Sequence, residues 1–307
     1  MMAKIPIAIL SFCRPDYLRS TLESLAAQDR GVLTDREIHL FQDGAVNRIS
    51  GKSYTTMDII EQNIAIFSAL FPSGFIHTQD ENLGIARHFD YVERYLFEDR
   101  NVEAAIFLED DMTLSPHYIG IMDRMIQEAL RNEKIGYVAA YGNHRAPLDE
   151  QRQKLSRIVE MDHKWAFGLT RRQWQRQEPL VREYVNFVAA MDYNSRNQRL
   201  IVDWFLSKGI LPTGTSQDSF KDAVMSLTGA AKLMTFCCYG KYIGEVGVHW
   251  SKEIYDRVGF ARTEICPEVS SHFDWPPEQE LDRIIALRQA TLTGNVSKVR
   301  EIFPFYK

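Results

Sequence analysis

Cysteine is scarce in this chain, and long apolar runs are absent. The 307 residues include four cysteines, none of them spaced as a C-x-x-C pair: Cys13, Cys237, Cys238 and Cys266. A disulfide framework and a cysteine zinc site both need paired spacings, so neither is expected. No stretch approaches the roughly 20 apolar residues of a membrane span, and residues 1–6 lack the apolar core of a signal peptide. We therefore expect a reduced, cytoplasmic protein with no transmembrane segment, and leave peripheral contact with a membrane open.

An excess of basic residues is also missing. The sequence has 36 Lys and Arg residues against 41 Asp and Glu residues, which gives a net charge of -5. Because nucleic-acid binding normally requires a basic surface, no nucleic-acid partner is expected. A hydrophobic content of 45% and a charged content of 25% are ordinary for a globular protein. The length is compatible with one large α/β domain or with two domains.

Short apolar runs alternate with segments of helical periodicity through the first part of the chain. Strands are predicted at residues 5–12, 38–41, 75–78 and 104–108, and helices from residue 15 and over 56–70, 84–97 and 116–131. This order predicts a mostly parallel central sheet flanked by helices. The second half is less regular, with strands predicted at 137–141, 157–161 and 233–239, and helices at 171–191, 197–207, 216–227 and 278–291. We expect one domain over residues 1–275, with halves 1–111 and 112–275, followed by a C-terminal helical extension over 276–307.

Three consecutive acids follow the most apolar of these predicted strands. Residues 104–108 run directly into Glu109, Asp110 and Asp111. Open α/β sheets place their ligands at the carboxyl ends of the strands, where these side chains would lie. Adjacent carboxylates repel one another unless a cation or water screens them. The trio therefore indicates either a site for a hard divalent cation such as Mg²⁺ or Mn²⁺ or a solvated acidic turn.

Several short motifs follow one another in order between residues 5 and 250. They are IAILSFCR at 7–14, QDG at 42–44, NLGIAR at 82–87, EDD at 109–111, HKWAFG at 163–168, QD at 217–218 and GVHW at 247–250. In this order they resemble the GT-A family of sugar-nucleotide-dependent glycosyltransferases, nearest to family 2-like bacterial enzymes and the N-acetylglucosaminyltransferase I group. The resemblance implies a Rossmann-like α/β fold. It also implies metal-dependent transfer of a sugar, with inversion, from a nucleoside diphosphate sugar (a UDP-sugar is favoured) to a glycan or lipid-linked saccharide acceptor.

The resemblance assigns the donor nucleotide to residues at the ends of the first strands and to the acidic trio. Those residues are Ser11, Arg14, Asp43, Arg87, Glu109 and Asp110. If the strand stays regular, Glu109 projects to one face of the sheet and Asp110 to the other. Structural explanations stay open for three of these residues: turn chemistry for Asp43, and exposed positions near a helix start for Arg14 and Arg87.

The metal, according to the resemblance, is bound by Asp111 and the late histidine His249, as Mn²⁺ or Mg²⁺. A neutral imidazole can complete such a site, although a lone histidine can equally be structural. The family's aromatic-glycine motif places Trp165 and Gly168 near the transferred sugar and the acceptor. An aromatic face suits the C–H face of a pyranose, and a glycine leaves room beside it.

Asp218 occupies the place of the family's catalytic base at the start of a late helix. An aspartate with an ordinary pKa is ionised at neutral pH and can accept a proton from a hydroxyl. Gln217 departs from the pattern, because family 2 enzymes usually carry an acid there. The structural alternative is that Ser216 or Asp218 caps or charges the helix N-terminus, and Asp222 and Glu245 are alternative bases.

Two other functions remain open on the sequence. A sugar-phosphate nucleotidyltransferase shares the nucleotide-binding sheet and the metal carboxylates, but the first loop lacks the Gly-rich, Lys/Arg-bearing phosphate signature expected there. A non-catalytic module that binds sugar nucleotides or glycans would keep the nucleotide site while Asp218 is dispensable.

Overall fold

The computed structural model describes residues 4–246, 251–294, 299–303 and 305. Its strands are β1 (Ile7–Ser11), β2 (Ile38–Gln42), β3 (Phe75–Thr78), β4 (Ala104–Glu109), β5 (Met112–Leu114), β6 (Ile135–Ala139), β7 (Ile158–Glu160), β8 (Ala166–Thr170), β9 (Ala231–Thr235) and β10 (Gly240–Tyr242). Its helices are α1 (Pro15–Ala26), α2 (Met57–Leu70), α3 (Gly84–Arg94), α4 (Tyr118–Arg131), α5 (Leu148–Gln153), α6 (Arg171–Val188), α7 (Gln198–Ser207), α8 (Gln217–Leu227), α9 (Lys252–Val258), α10 (Glu278–Leu292) and α11 (Val299–Ile302). Across these described ranges, no helix combines the length and apolar character needed to cross a membrane.

Eight strands form the central sheet, in the order β3-β2-β1-β4-β8-β6-β9-β7. Strands β3, β2, β1 and β4 run parallel to one another, and β6 and β9 share their direction. Strands β8 and β7 run the opposite way. A second, two-stranded antiparallel sheet pairs β5 with β10. The predicted fold class, a mostly parallel Rossmann-like sheet flanked by helices, is confirmed.

Burial of the apolar runs explains why these segments form the sheet. Every residue of β1, β2 and β8 is buried, as are residues 104–108 of β4. Phe107 of β4 stacks on Phe167 of β8, with ring centroids 5.0 Å apart. In α1, Pro15 occupies the first turn, where its missing N–H costs nothing, and Leu18 and Leu22 face the core. The sheet is therefore held by side chains on both of its faces.

Three strands of the second half differ from the expectation. The sequence analysis did not identify β5, β8 or β10, whereas the predicted strand at 233–239 is found two residues earlier as β9. Strand β8 inserts antiparallel between β4 and β6. Its pairing joins segments far apart in the sequence, so local periodicity carries no signal for it. The helix predicted over 84–97 is α-helical only to Arg94 and continues as a π-helical turn, Tyr95–Asp99.

The C-terminal helix α10 packs against the second half of the sheet domain. Leu281 and Ile285 are buried in the main hydrophobic cluster, and Gln289 Nε2 donates a 2.8 Å hydrogen bond to the Ser226 carbonyl of α8. Lys134 forms an ion pair with Asp282 at 2.6 Å. The division of the chain at residues 111 and 275 stays a prediction.

Gly168 lies in the core of β8, which corrects its predicted place beside a bound sugar. A Cβ atom at this position would lie 2.5 Å from Cγ1 of Ile126 on α4 and 2.9 Å from Cγ2 of Val138 on β6. The missing side chain thus allows α4 to pack closely on the sheet. The physical requirement for glycine here is packing, which a motif comparison cannot distinguish from contact with a ligand.

We expect Gly168→Ala to lower the free energy of unfolding by about 1–3 kcal/mol, because the added methyl overpacks this contact. Gly120→Ala is the matched control in α4, where the nearest atom, Val32 Cγ2, would lie 3.9 Å away; alanine there should stabilise the helix by about 0.5–1 kcal/mol. Urea denaturation of both variants measures the two effects. A Gly168→Ala variant as stable as the wild type would contradict this account of β8.

Candidate active site

A cavity of about 690 Å³ opens at the carboxyl ends of the parallel strands. Ser11 at the end of β1, Asp43 after β2 and Glu109 at the end of β4 all contribute to its wall. The other predicted site residues that line it are Arg14, Asp110, Asp111, Trp165 and Asp218. Parallel strands bring these positions together because their carboxyl ends share one edge of the sheet.

Arg14 binds two of the three consecutive acids. Its Nη1 atom lies 2.7 Å from Asp111 Oδ2, and its Nη2 atom pairs with Asp110 Oδ1. The two carboxylates are buried, whereas 28% of the Arg14 side chain is exposed. Strand β4 ends at Glu109, so the strand alternation that would separate Asp110 from its neighbours does not extend to these two residues. Both aspartates consequently reach the same guanidinium.

The acidic turn is held in place through its backbone. Thr21 Oγ1 on α1 donates to the Asp110 carbonyl at 2.9 Å and accepts from the Met112 amide at 3.1 Å. On the other side, the Ile243 amide donates to the Asp111 carbonyl at 2.8 Å. A Cβ at Gly244 would lie 2.5 Å from Asp111 Oδ2, so this glycine allows the loop after β10 to approach the carboxylate.

Burial and mutual repulsion favour the protonated forms of Glu109 and Asp111. Burial raises the pKa of Asp111 to about 6, and Asp110 adds to the rise while Arg14 opposes it. The pKa of Glu109 is also raised, first by burial and then by the charges of Asp111 and Asp218. Oδ1 of Asp111 is buried without a hydrogen-bond partner. Arg14 alone therefore does not offset the cost of burying these carboxylates in ionised form.

Asp43 organises the start of α3. Its Oδ1 accepts hydrogen bonds from the Gly44 amide at 2.9 Å and the Leu83 amide at 2.8 Å. Its Oδ2 accepts from the Gly84 amide at 3.1 Å and from Asn82 Nδ2 at 3.0 Å. The Asn82 side chain donates to Asp43, and the Asp43 carboxylate receives the backbone N–H groups at the start of the helix. Burial raises the pKa of Asp43 to about 6, although these hydrogen bonds oppose the rise.

Two other predicted donor-binding residues have internal partners. The Ser11 hydroxyl is buried and donates to Gln42 Oε1 at 2.9 Å. Arg87 pairs with Glu81 at 2.9 Å and is not among the residues that line the cavity. Contact of either residue with a nucleotide stays a prediction, and for Arg87 it requires the side chain to leave Glu81.

Trp165 is fixed in the cavity wall by neighbouring rings. Its indole stacks on Tyr242 of β10 at 4.1 Å between centroids and on His163 at 4.3 Å, each nearly parallel. Phe260 meets it edge-on at 5.0 Å. The sequence analysis missed Tyr242, which has no local signature and reaches the site only through pairing of β10 with β5. Contact of Trp165 with a sugar stays a prediction.

The first turn of α8 carries Asp218 without using it as a cap. Ser216 is the N-cap and accepts from the Ser219 amide at 3.2 Å. The Asp218 carboxylate instead accepts from Gln217 Nε2 at 2.6 Å, and Lys164 Nζ donates to its backbone carbonyl at 3.0 Å. Burial raises the pKa of Asp218, while Lys164 and Lys221 oppose the rise. Ser216, and not Asp218, is therefore the cap, while Asp218 is the acidic residue of the first turn and lines the cavity.

The two alternative bases are held in ion pairs. Asp222 pairs with Lys164 at 2.7 Å and also with Lys232; although burial acts the other way, these lysines hold its pKa below the usual range. Glu245 pairs with Lys252 at 2.8 Å and does not line the described part of the cavity. Of the three carboxylates, Asp218 has no side-chain cation bound to it at ion-pair distance in the described structure.

Two buried polar side chains that sequence reasoning missed also line the cavity. His88 Nε2 on α3 and Gln217 Oε1 on α8 are both buried without a hydrogen-bond partner. Burial lowers the pKa of His88 to about 3, so its imidazole is neutral. Unpaired buried polar atoms cost free energy unless a ligand or water satisfies them. The sequence feature that could have identified each of them is a polar residue at a buried position of a helix.

The residues fit a divalent cation through Asp111. Its free Oδ1 is a hard oxygen ligand, and Mg²⁺ or Mn²⁺ often takes one or two protein carboxylates and completes its shell with water and phosphate oxygens. Within the described ranges, no group of three or more His, Cys, Asp or Glu side chains converges on a metal position. His249, the second predicted ligand, lies outside the described residues.

Comparison with solved structures finds similar chains at low sequence identity and low TM-score. No family model matches the chain, and no curated protein matches it. Among solved structures, S. aureus TarS is similar with 10% identity and a TM-score of 0.42 over 99% of this chain and 42% of that chain. The crystal structure of S. aureus TarS 1-349 has 9% identity and a TM-score of 0.42, covering 97% and 69% of the two chains. The chain thus spans less than half the length of that first TarS chain.

The raised pKa of Asp43 predicts a specific dependence of stability on pH. Its contribution is fully present below about pH 4, where the carboxyl is protonated in both states, and is lost as the pH rises through 6. Relative to Asp43→Asn, which cannot ionise, the wild type should lose about 2 kcal/mol of unfolding free energy between about pH 4 and pH 7. Denaturant unfolding of both proteins across this range measures the difference. A difference independent of pH would mean that folding does not raise the pKa of Asp43.

Proposed function

We propose that this protein is a glycosyltransferase that moves a sugar from a nucleoside diphosphate sugar to a hydroxyl group of a glycan or lipid-linked saccharide. One cavity carries the proposal. It is lined by the acidic turn at Asp110 and Asp111, which the Arg14 guanidinium binds, and by the carboxylate of Asp218. With a divalent cation at Asp111, the acidic turn would suit a leaving diphosphate. The Asp218 carboxylate would serve as the proton acceptor. A UDP-sugar is the favoured donor, by resemblance to the GT-A family.

The donor is proposed to lie along the ends of β1, β2 and β4. Ser11 and Asp43 line the wall on the side of the nucleoside, and Arg14 lies towards the acidic turn. A guanidinium presents a planar fork of N–H donors that matches phosphate oxygens, so Arg14 is placed to bind the diphosphate. Asp43 acts on the nucleoside either directly or through the loop 82–84 that it holds.

A divalent cation, Mn²⁺ or Mg²⁺, is proposed as the cofactor, with Asp111 as its ligand in the described part of the chain. When bound, such a cation would offset the negative charge that develops on the departing diphosphate. Asp110 and Glu109 would supply the surrounding negative charge. Participation of His249 follows only from the resemblance to the family.

Asp218 is proposed as the base that takes the proton of the acceptor hydroxyl. Lys164 binds the Asp218 carbonyl and the Asp222 carboxylate, so it fixes the turn from which the base projects. Burial raises the pKa of Asp218 towards neutral pH. A general base is more effective when its pKa lies near the pH at which it works. Attack on the face of the sugar opposite the diphosphate would invert its anomeric centre.

A panel of nucleoside diphosphate sugars tests the reaction class. With the full chain, Mn²⁺ and saccharide acceptors, we expect formation of a new glycoside and release of the nucleoside diphosphate, with the anomeric configuration inverted. A nucleotidyltransferase would instead release pyrophosphate from a nucleoside triphosphate and a sugar phosphate. Nucleotide binding without transfer or hydrolysis of any donor would favour the non-catalytic module.

Asp111→Ala should lose the enhancement of UDP binding by Mn²⁺, because it removes the free buried oxygen that suits the cation. Calorimetric titration of UDP, with Mn²⁺ and with a chelator, measures this enhancement. The matched control is Asp16→Ala, which removes an exposed acid in the first turn of α1 and should leave both affinities unchanged. Equal UDP affinity of wild type and Asp111→Ala in Mn²⁺ would contradict the role of Asp111.

Asp218→Asn should reduce kcat by about 10²–10⁴-fold while substrate binding survives, because the amide keeps the shape but loses the basicity. Ser216→Ala is the control for helix capping. It removes the N-cap bond and should cost about 1 kcal/mol of stability with little change in turnover. Near-normal turnover of Asp218→Asn, or a product with retained anomeric configuration, would refute the assignment.

A further inference from the structure

The acidic turn already has a cation within the chain. The Arg14 guanidinium uses separate nitrogen atoms for the two aspartates, Nη1 for Asp111 Oδ2 at 2.7 Å and Nη2 for Asp110 Oδ1. Such charge-assisted bonds to carboxylates are among the stronger hydrogen bonds in proteins. Arg14 thus bridges the two aspartates. A metal ion that bound the same oxygens would have to break these bonds.

A guanidinium and a divalent cation cannot both be strongly bound at this turn. Two like charges a few ångströms apart repel strongly when the surroundings are largely desolvated, and Asp110 and Asp111 are 3% and 1% exposed. The remaining buried oxygen, Asp111 Oδ1, has no partner. It is available to a metal ion, but Arg14 contacts the other oxygen of the same carboxylate.

The Arg14 side chain borders the open cavity. It lies at the N-terminal end of α1 without a side-chain capping bond, and its guanidinium is 5.5 Å from the centroid of the Tyr17 ring. Its side chain is partly exposed and lines the cavity. Lys164, the other Lys or Arg side chain of the described cavity wall, is bound to Asp222. An entering polyanion would therefore meet Arg14 as a partly exposed cation of the described cavity wall.

We propose that Arg14 and a divalent cation are alternative partners of the Asp110–Asp111 pair, and that a bound diphosphate decides between them. Without nucleotide, the guanidinium bridges the two carboxylates and disfavours the metal ion. A diphosphate gives Arg14 a second anionic partner, which releases Asp111 for the metal ion. Metal binding is then coupled to nucleotide binding, and each must strengthen the other by the same factor. The identity of the diphosphate rests on the proposed function; the competition between Arg14 and the metal ion does not.

Titration of Mn²⁺ alone into the full chain tests the competition directly. We expect weak binding to the wild type and about ten- to a hundredfold tighter binding to Arg14→Met, the range over which groups around a metal site change its affinity. Arg14→Gln, which also lacks the charge but keeps hydrogen-bonding groups, should show the same direction and serves if the methionine variant is unstable. Arg19→Met, an exposed arginine of the same helix, is the control with unchanged Mn²⁺ affinity. The gain should disappear in Arg14→Met/Asp111→Asn.

The coupling is measured by repeating each titration with saturating UDP. The solution chelate of Mn²⁺ with UDP contributes equally to every protein, so the comparison is between wild type and variants. We expect the UDP-induced gain in Mn²⁺ affinity to shrink at least about tenfold in Arg14→Met. Mn²⁺ affinity of both Arg14 variants equal to that of wild type and Arg19→Met would overturn the proposal. Failure of the glycosyltransferase function would appear separately, as absence of transfer from every donor with the Mn²⁺ competition intact.

Discussion

Burial of consecutive carboxylates at the end of β4 is the constraint on which the rest of the site depends. The apolar run of β4 places the acids in a desolvated position, and desolvation together with mutual repulsion opposes the ionisation of Glu109 and Asp111. Arg14 supplies a positive charge beside these acids. It lies in the connection between β1 and α1, and β1 is the strand next to β4. Thr21 and Ile243 then clamp the turn through its backbone. Compensation is partial, since one oxygen of Asp111 remains unpaired.

Elsewhere in the cavity wall, lysines offset the negative charge of another carboxylate. Asp222 lies between Lys164 and Lys232, and this arrangement leaves Asp218, one turn earlier on α8, outside the ion pairs. Division of labour between neighbouring carboxylates is a common way to obtain one structural acid and one reactive acid. In this protein the lysines reach Asp222, and the proposed base, Asp218, is the carboxylate outside the ion pairs.

The proposed nucleotide site shares residues with helix packing. Asp43 accepts the first backbone N–H groups around α3, so the same carboxylate that lines the cavity also fixes a helix that carries His88. A change at Asp43 would therefore act on the loop 82–84 as well as on any bound nucleoside. Trp165 is similar, because its stacking on Tyr242 ties the cavity wall to the small β5–β10 sheet.

The sequence by itself determined the strand and helix order of the first 111 residues and the placement of polar residues at the strand ends. Periodicity is a local property, and the carboxyl ends of parallel strands must meet at one edge, so Ser11, Asp43 and Glu109 were foreseeable as neighbours. Only the tertiary structure decided the partners of each side chain. The pairing of Arg14 with two aspartates, the burial of Gly168 against Ile126 and the insertion of β8 all join residues far apart in the chain. Such contacts depend on distances in space, which no local pattern encodes.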